Sequence, residues 1–143
     1  MFRVTRRYEF AASHRLDAPQ LDPEENRRLY GKCNNPYGHG HNYVVEVSVR
    51  GPADSRTGMA VDQRRLDELV RREVIDPFAF RNLNDNDSFS SVVPTSENLA
   101  VEIRRRLARS WNTVFPGAWP RLDKIRIAET PRNIFETSAD EIE

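Results

Sequence analysis

The sequence predicts an α+β domain: an antiparallel sheet with two helices on one face, in the order ββααββ. Three observations lead there. Apolar residues alternate from Phe2 to Ala12 and again from Asn42 to Arg50; they recur at helical spacing around Leu66 to Val74 and Leu99 to Leu107; and two short apolar runs close the chain. Strands that flank a helical middle favour antiparallel pairing, with the helices gathered on a common face.

In the first strand the even positions Phe2, Val4, Tyr8, Phe10 and Ala12 face inward, with Arg6 in the same series, and His14 continues that face if the strand reaches it. A polar loop, "DAPQLDPEENRRLYGK", follows, with one helical turn near Asp22 to Leu29. In the second strand the inward set is odd: Tyr43, Val45, Val47 and Val49. "GPADSRTG" ends it as a turn. Asp62 then reads as an N-cap, and Leu66, Leu69, Val70 and Val74 predict a helix over Gln63 to Ile75, stopped by Pro77. Pro94 and a Thr95/Ser96 cap open a second helix with the stripe Leu99, Ala100, Ile103 and Leu107, which turns Arg104, Arg105 and Arg106 mostly outward. The closing strands fall near Leu122 to Ala128 and Ile134 to Glu136. Unpaired sheet edges would favour association between copies.

A chain of 143 residues suits a single domain, 1–143, with a modest core. Its 22 basic and 22 acidic residues cancel, so bulk charge gives no reason to expect nucleic acid or an anionic membrane as partner. The Arg104 to Arg106 run is the one candidate basic stripe, and a solvated helix face explains it. A single cysteine forms no intrachain disulfide, and neither a secretory leader nor a spanning segment is evident, so a reducing cytoplasmic setting is expected.

Scarce chemistry is concentrated in "CNNPYGHGHNY", Cys33 to Tyr43, which holds the only cysteine and two of the three histidines. His39 and His41 are two apart, so in extended backbone they leave one face about 7 Å apart and can share an ion. His14 supplies a third imidazole if the ends of the two strands meet. Three histidines and an open fourth position describe a catalytic zinc site. The competing reading is an ordinary Gly-His-Gly-His turn. Cys33 reads equally as a buried inert thiol, a fourth ligand, or a nucleophile or base beside the metal.

These residues, with "FAASHRL", "GMAVD", "RNLND", "PTSENLAVEI" and "IRIAETPRN" in order, resemble the 6-pyruvoyl-tetrahydropterin synthase family, including the bacterial 6-carboxytetrahydropterin synthases of queuosine biosynthesis. The resemblance implies a T-fold whose subunits assemble into barrels, commonly homohexamers. It implies Zn2+ held by His14, His39 and His41, and 7,8-dihydroneopterin triphosphate as substrate. It further implies that Glu129 grips the pterin ring, a task suited to a carboxylate that accepts two parallel hydrogen bonds, with help from Thr95 and Ser96. The residue-level alternative for Glu129 is a surface strand position. Cys33 matches the family's general base, which removes a carbon-bound proton before triphosphate is eliminated. Arg15, Lys32 and Arg81 are candidates for the triphosphate.

One departure stands out. The family activates its cysteine with an Asp-His pair in a stretch L-D-H-x-N-L, and here that stretch reads "FAFRNL", with Ala79 and Phe80 at the two positions. Every histidine is already assigned to the metal. The chain is then a variant working on a related pterin or at a simpler step such as retro-aldol cleavage, with Asp85, Asp87 or solvent as proton acceptor; or a silent zinc- and pterin-binding homologue; or a pair of engineered replacements. A structural reading compatible with loss of the relay is that Ala79 and Phe80 are loop packing, with "FAF" burying two rings beneath the pocket.

Overall fold

The frame is a pair of long strands. In the computed structural model, which describes residues 1–140, β1 (Phe2–His14) and β2 (His39–Gly51) run antiparallel in continuous register, from Phe2 opposite Gly51 to His14 opposite His39. β3 (Arg121–Thr130) and β4 (Asn133–Ser138) complete a four-stranded antiparallel sheet in the order β1-β2-β3-β4. β1 and β4 are the outer strands of this sheet, and residues 80–82 run along the outer edge of β1 at Ala11 and Ser13.

The inward positions form the core. Tyr43, Val45, Val47 and Val49 of β2 and Ile125 and Ile127 of β3 are fully buried, and Phe10 and Ala12 of β1 join them. Two helices cover this face: α2 (Gln63–Val70) brings Leu66, Leu69 and Val70, and α4 (Ser96–Val114) brings Leu99, Ile103 and Leu107. Both start at the expected caps, where Asp62 accepts from the Arg65 amide and Thr95 from the Asn98 amide. β1 lies beside β2 because sequential strands pair most easily, whereas β3 reaches β2 only after both helices have crossed the sheet.

Three local expectations need correction. The turn near Asp22 is a full helix, α1 (Pro23–Tyr30), capped by Asp22 and anchored by buried Asn26, which bonds the Ala18, Leu21 and Asp22 backbone. The helix over 63–75 does not stop before Pro77. A π turn, Arg71–Ile75, leads into α3 (Asp76–Phe78), where proline sits in a first turn and needs no amide hydrogen.

The arginine run is not a solvated face either. Arg104 is buried and donates to Thr137 and to the Ser138 carbonyl of β4. Arg106 donates to Glu102 and Ser88, with its guanidinium 4.7 Å from the Phe78 ring centre. Only Arg105 is largely exposed. A 3.6-residue period identifies the sheet-facing stripe, but β4 and residues 86–89 cover flanks of α4 that periodicity assigns to water. Among the described residues, no helix is long and apolar enough to cross a membrane.

Candidate functional site

The β1–β2 register decides the site. Because His14 lies opposite His39 and Ala12 opposite His41, the three imidazoles meet at one end of the sheet. Their ring centres are 4.4 Å apart for His39 and His41, 4.9 Å for His14 and His41, and 5.7 Å for His14 and His39. Gly38 allows the close approach. Its φ is +66°, and a Cβ there would lie 2.2 Å from the His14 carbonyl oxygen.

His14 Nδ1 lies 3.0 Å from the Pro94 carbonyl, to which it donates, so Nε2 carries the free lone pair. The Tyr43 hydroxyl is also 3.2 Å from Nδ1. Tyr43 is a contact that motif reading missed, although its position two residues beyond His41 on the same strand face announced it. The Nε2 atoms of His14 and His41 are buried and form no hydrogen bond, although the Glu129 carboxylate lies within ion-pair distance of both. Buried nitrogens are rarely left unpaired without a ligand to meet them. Burial, the largest influence on both rings, pushes their pKa values down and, with the neighbouring imidazoles, outweighs the Glu129 charge on both and the Pro94 hydrogen bond on His14, which act the other way. The rings are therefore neutral and available as donors.

Cys33 comes from a 3-10 turn, Gly31–Asn34, tied to the exit of β1 by the bond from the Leu16 amide to the Cys33 carbonyl. Its Sγ lies 2.9 Å from His39 Nε2, and donor atoms of His14, Cys33, His39 and His41 all lie within 4.8 Å of one another. Burial raises the thiol pKa, as does the Glu129 charge. Glu129 continues the inward face of Ile125 and Ile127. Its Oε1 is 3.3 Å from His41 Nε2 and 3.8 Å from His14 Nε2, and only 12% of its side chain is exposed, so it is no surface residue. A cavity of about 570 Å³ opens beside His41 and Glu129, with Val44, Ala128 and Ile134 among its walls. The donor set fits a metal ion that favours nitrogen and sulfur.

The sequence model described as 6-pyruvoyl tetrahydropterin synthase matches residues 3–140. The chain belongs to the 6-pyruvoyl tetrahydropterin synthase family. A 6-pyruvoyl tetrahydrobiopterin synthase of Poecilia reticulata is 46% identical over 132 residues, covering 92% of this chain and 86% of the relative. The Homo sapiens protein of that name is 43% identical over 133 residues, covering 92% and 88%. The solved structure of Caenorhabditis elegans 6-pyruvoyl tetrahydropterin synthase matches with a TM-score of 0.85 at 38% identity, over 96% of this chain and 94% of that one. The sheet and helices described above are the family's T-fold.

At the two positions that the resemblance assigns to an Asp-His relay, neither side chain can transfer a proton. Ala79 packs against the core, while Phe80 has a φ of +60° and is 90% exposed. The expectation of two rings beneath the pocket is corrected: only Phe78 is buried, beside Phe10 and Phe89. After α3 the chain is stitched along β1, by bonds from the Phe80 amide to Ala11 and from the Ser13 amide to Arg81, and this turns the Phe80 side chain to solvent.

The remaining candidates are mixed. Thr95 spends its hydroxyl on capping α4, whereas Ser96 is buried with Oγ unpartnered. Pro94, just before them, touches His14, so the start of α4 abuts the site. Arg15 bonds the Asn34 carbonyl and pairs with Asp17, and Lys32 lies exposed on the cysteine turn. Arg81, Asp85 and Asp87 lie on or beside the short turns that follow α3.

Proposed function

We propose that this chain is a zinc-dependent pterin lyase, acting on 7,8-dihydroneopterin triphosphate or a related pterin in the manner of 6-pyruvoyl- or 6-carboxytetrahydropterin synthases. The observation that carries the reading is the convergence of three imidazoles, His14 buried and His39 and His41 half-buried, two of them with unpartnered nitrogens, beside a thiol and a half-buried carboxylate. His14, His39 and His41 would hold the ion. Bound zinc supplies Lewis acidity toward the hydroxyls of the pterin side chain and makes the adjacent carbon-bound proton easier to remove. Glu129 accepts two hydrogen bonds from the guanidine-like edge of the ring, and Ser96 Oγ is free to add a third. Cys33, once it has given its own proton to solvent, takes the carbon-bound proton as the thiolate and becomes a thiol, and the electron pair left on carbon expels triphosphate.

The similar proteins at 43% and 46% identity carry the 6-pyruvoyl name, which favours that branch over the queuosine branch. The positions of β4 and of the Phe2 end of β1 at the edges of the sheet are compatible with the homohexameric barrel that the resemblance suggests. A free thiol agrees with a reducing cytoplasm.

The second reading is a homologue that binds zinc and pterin without the usual elimination, or that cleaves the side chain by retro-aldol chemistry. A methyl group at Ala79 and a solvent-facing ring at Phe80 favour it. The deciding experiment is product analysis with 7,8-dihydroneopterin triphosphate, for this chain and for Ala79→Asp/Phe80→His. The parent is expected to give little 6-pyruvoyl or 6-carboxy product and the double variant to gain elimination. Turnover of the parent at about 1 to 1,000 per second would show the relay to be dispensable. A different product from the parent would identify a diverged enzyme. Binding by both proteins without turnover would identify a binding protein.

A further inference from the structure

We infer that Cys33 is the fourth protein ligand of the metal in the resting protein, making a centre of three histidines and one cysteine that stays closed until substrate displaces the sulfur. This rests on the three-histidine reading above and adds the thiol to it.

Geometry carries the argument. Cys33 Sγ stands 2.9 Å from His39 Nε2, too close for a water molecule to lie between them. A tetrahedral ion with metal–nitrogen bonds of about 2.0–2.1 Å and a metal–sulfur bond of about 2.3 Å sets its donor atoms about 3.3–3.6 Å apart. The four donors here already lie within 4.8 Å of one another, so side-chain adjustments of about an ångström would close the shell around an ion. The unpartnered Nε2 atoms of His14 and His41 call for a ligand independently of the cysteine, and His14 is fully buried.

The turn that carries Cys33 is fixed in place rather than free to swing away. Leu16 donates to the Cys33 carbonyl at 2.7 Å, and Asn34 Nδ2 donates to the Leu16 carbonyl at 2.7 Å and to Asp17 at 2.9 Å. These bonds tether the cysteine turn to residues two and three places beyond His14. A cysteine in the family's role must stay off the metal to serve as a base beside it. Here the relay positions offer no competing partner, since Phe80 faces solvent and Ala79 has only a methyl group. On loading, the S–H bond breaks, a sulfur–metal bond forms and the proton passes to solvent. The fourth position is then filled by the protein itself, and any substrate oxygen must compete with sulfur for it.

The test uses Co2+ as the probe ion. The cobalt-loaded parent should show a sulfur-to-cobalt charge-transfer band in the near ultraviolet, and Cys33→Ser should lack it while still taking up cobalt through the histidines. Cobalt affinity should fall in Cys33→Ser by more than the about 10- to 100-fold typical of losing an outer hydrogen bond to a ligand. No such band in a cobalt-loaded parent overturns this inference and leaves the three-histidine site standing. Failure of the parent to bind cobalt stoichiometrically overturns both. The parent spectrum is decisive even if the variant folds poorly.

Discussion

Gly38 is where the site has least room, because the turn feeding β2 passes directly over the end of β1. Left-handed backbone costs an ordinary residue about 1–2 kcal/mol, and the atom that a Cβ would strike, the His14 carbonyl oxygen, is backbone and cannot rotate aside. Gly38→Ala should therefore destabilise the protein by more than about 2 kcal/mol and weaken metal binding together with it. Urea unfolding and metal content measure the two effects, and an unchanged unfolding midpoint would refute the account. At Phe80 the same backbone region is occupied by an aromatic residue, held by the bond from its amide to Ala11. Conformation there follows from the stitching of the segment to β1 and not from the preference of the residue.

Between residue and fold lies the contact of α4 with the segment that follows α3. Glu102, nearly buried on α4, accepts from Ser88, Arg105 and Arg106, and Arg106 reaches on to Ser88 and, at 3.4 Å, toward the Glu73 carbonyl in the π turn. This network fastens residues 86–89 to the helix, and the chain that leads into them runs along β1 as far as Ser13. Glu102→Gln should cost about 1.5–3 kcal/mol, the range for a hydrogen bond to a charged group. Arg105→Gln, at the exposed side of the same carboxylate, should cost less than about 1 kcal/mol. Chemical denaturation of both variants checks the contrast; equal losses would mean that Arg106 and Ser88 contribute nothing special.

At the scale of the whole molecule, the titrating groups combine into a dome of stability against pH. In metal-free protein His14 and His41 sit below their ordinary 6.5, chiefly through burial, so the unfolded chain binds more protons as pH falls beneath that value. Stability should then drop by at most about 2.7 kcal/mol per pH unit, two protons' worth. Asp67, held low mainly by Arg6, deepens the fall through the carboxylate range. So does Glu102, where burial opposes the charge but Ser88, Arg106 and Arg105 outweigh it. On the alkaline side Cys33, raised by burial and by Glu129, and then Tyr8 and Tyr43, raised first by burial, lose stability as pH rises beyond their unfolded values of 9.0 and 10.0. The plateau should span about pH 6.5 to 9. Thermal melts of chelator-treated protein across pH measure it, and a maximum near pH 5 would contradict it.

The sequence by itself determined the two strand periods, both principal helices and their caps, and the histidine and cysteine residues of the candidate metal cluster, because each is written in residue types at short spacing. What only the tertiary structure decided depends on surfaces brought together from distant parts of the chain. Arg104 and Arg106 lie inside because β4 and residues 86–89 close over α4, and helical spacing carries no record of that cover. Phe80 lies outside because its segment follows the β1 edge, so burial could not be read from its apolar ring. Cys33 sits against His39 because the turn after α1 is pinned to the residues beyond His14. The "CNNPYGHGHNY" motif supplied the donors, and register between strands supplied the distances.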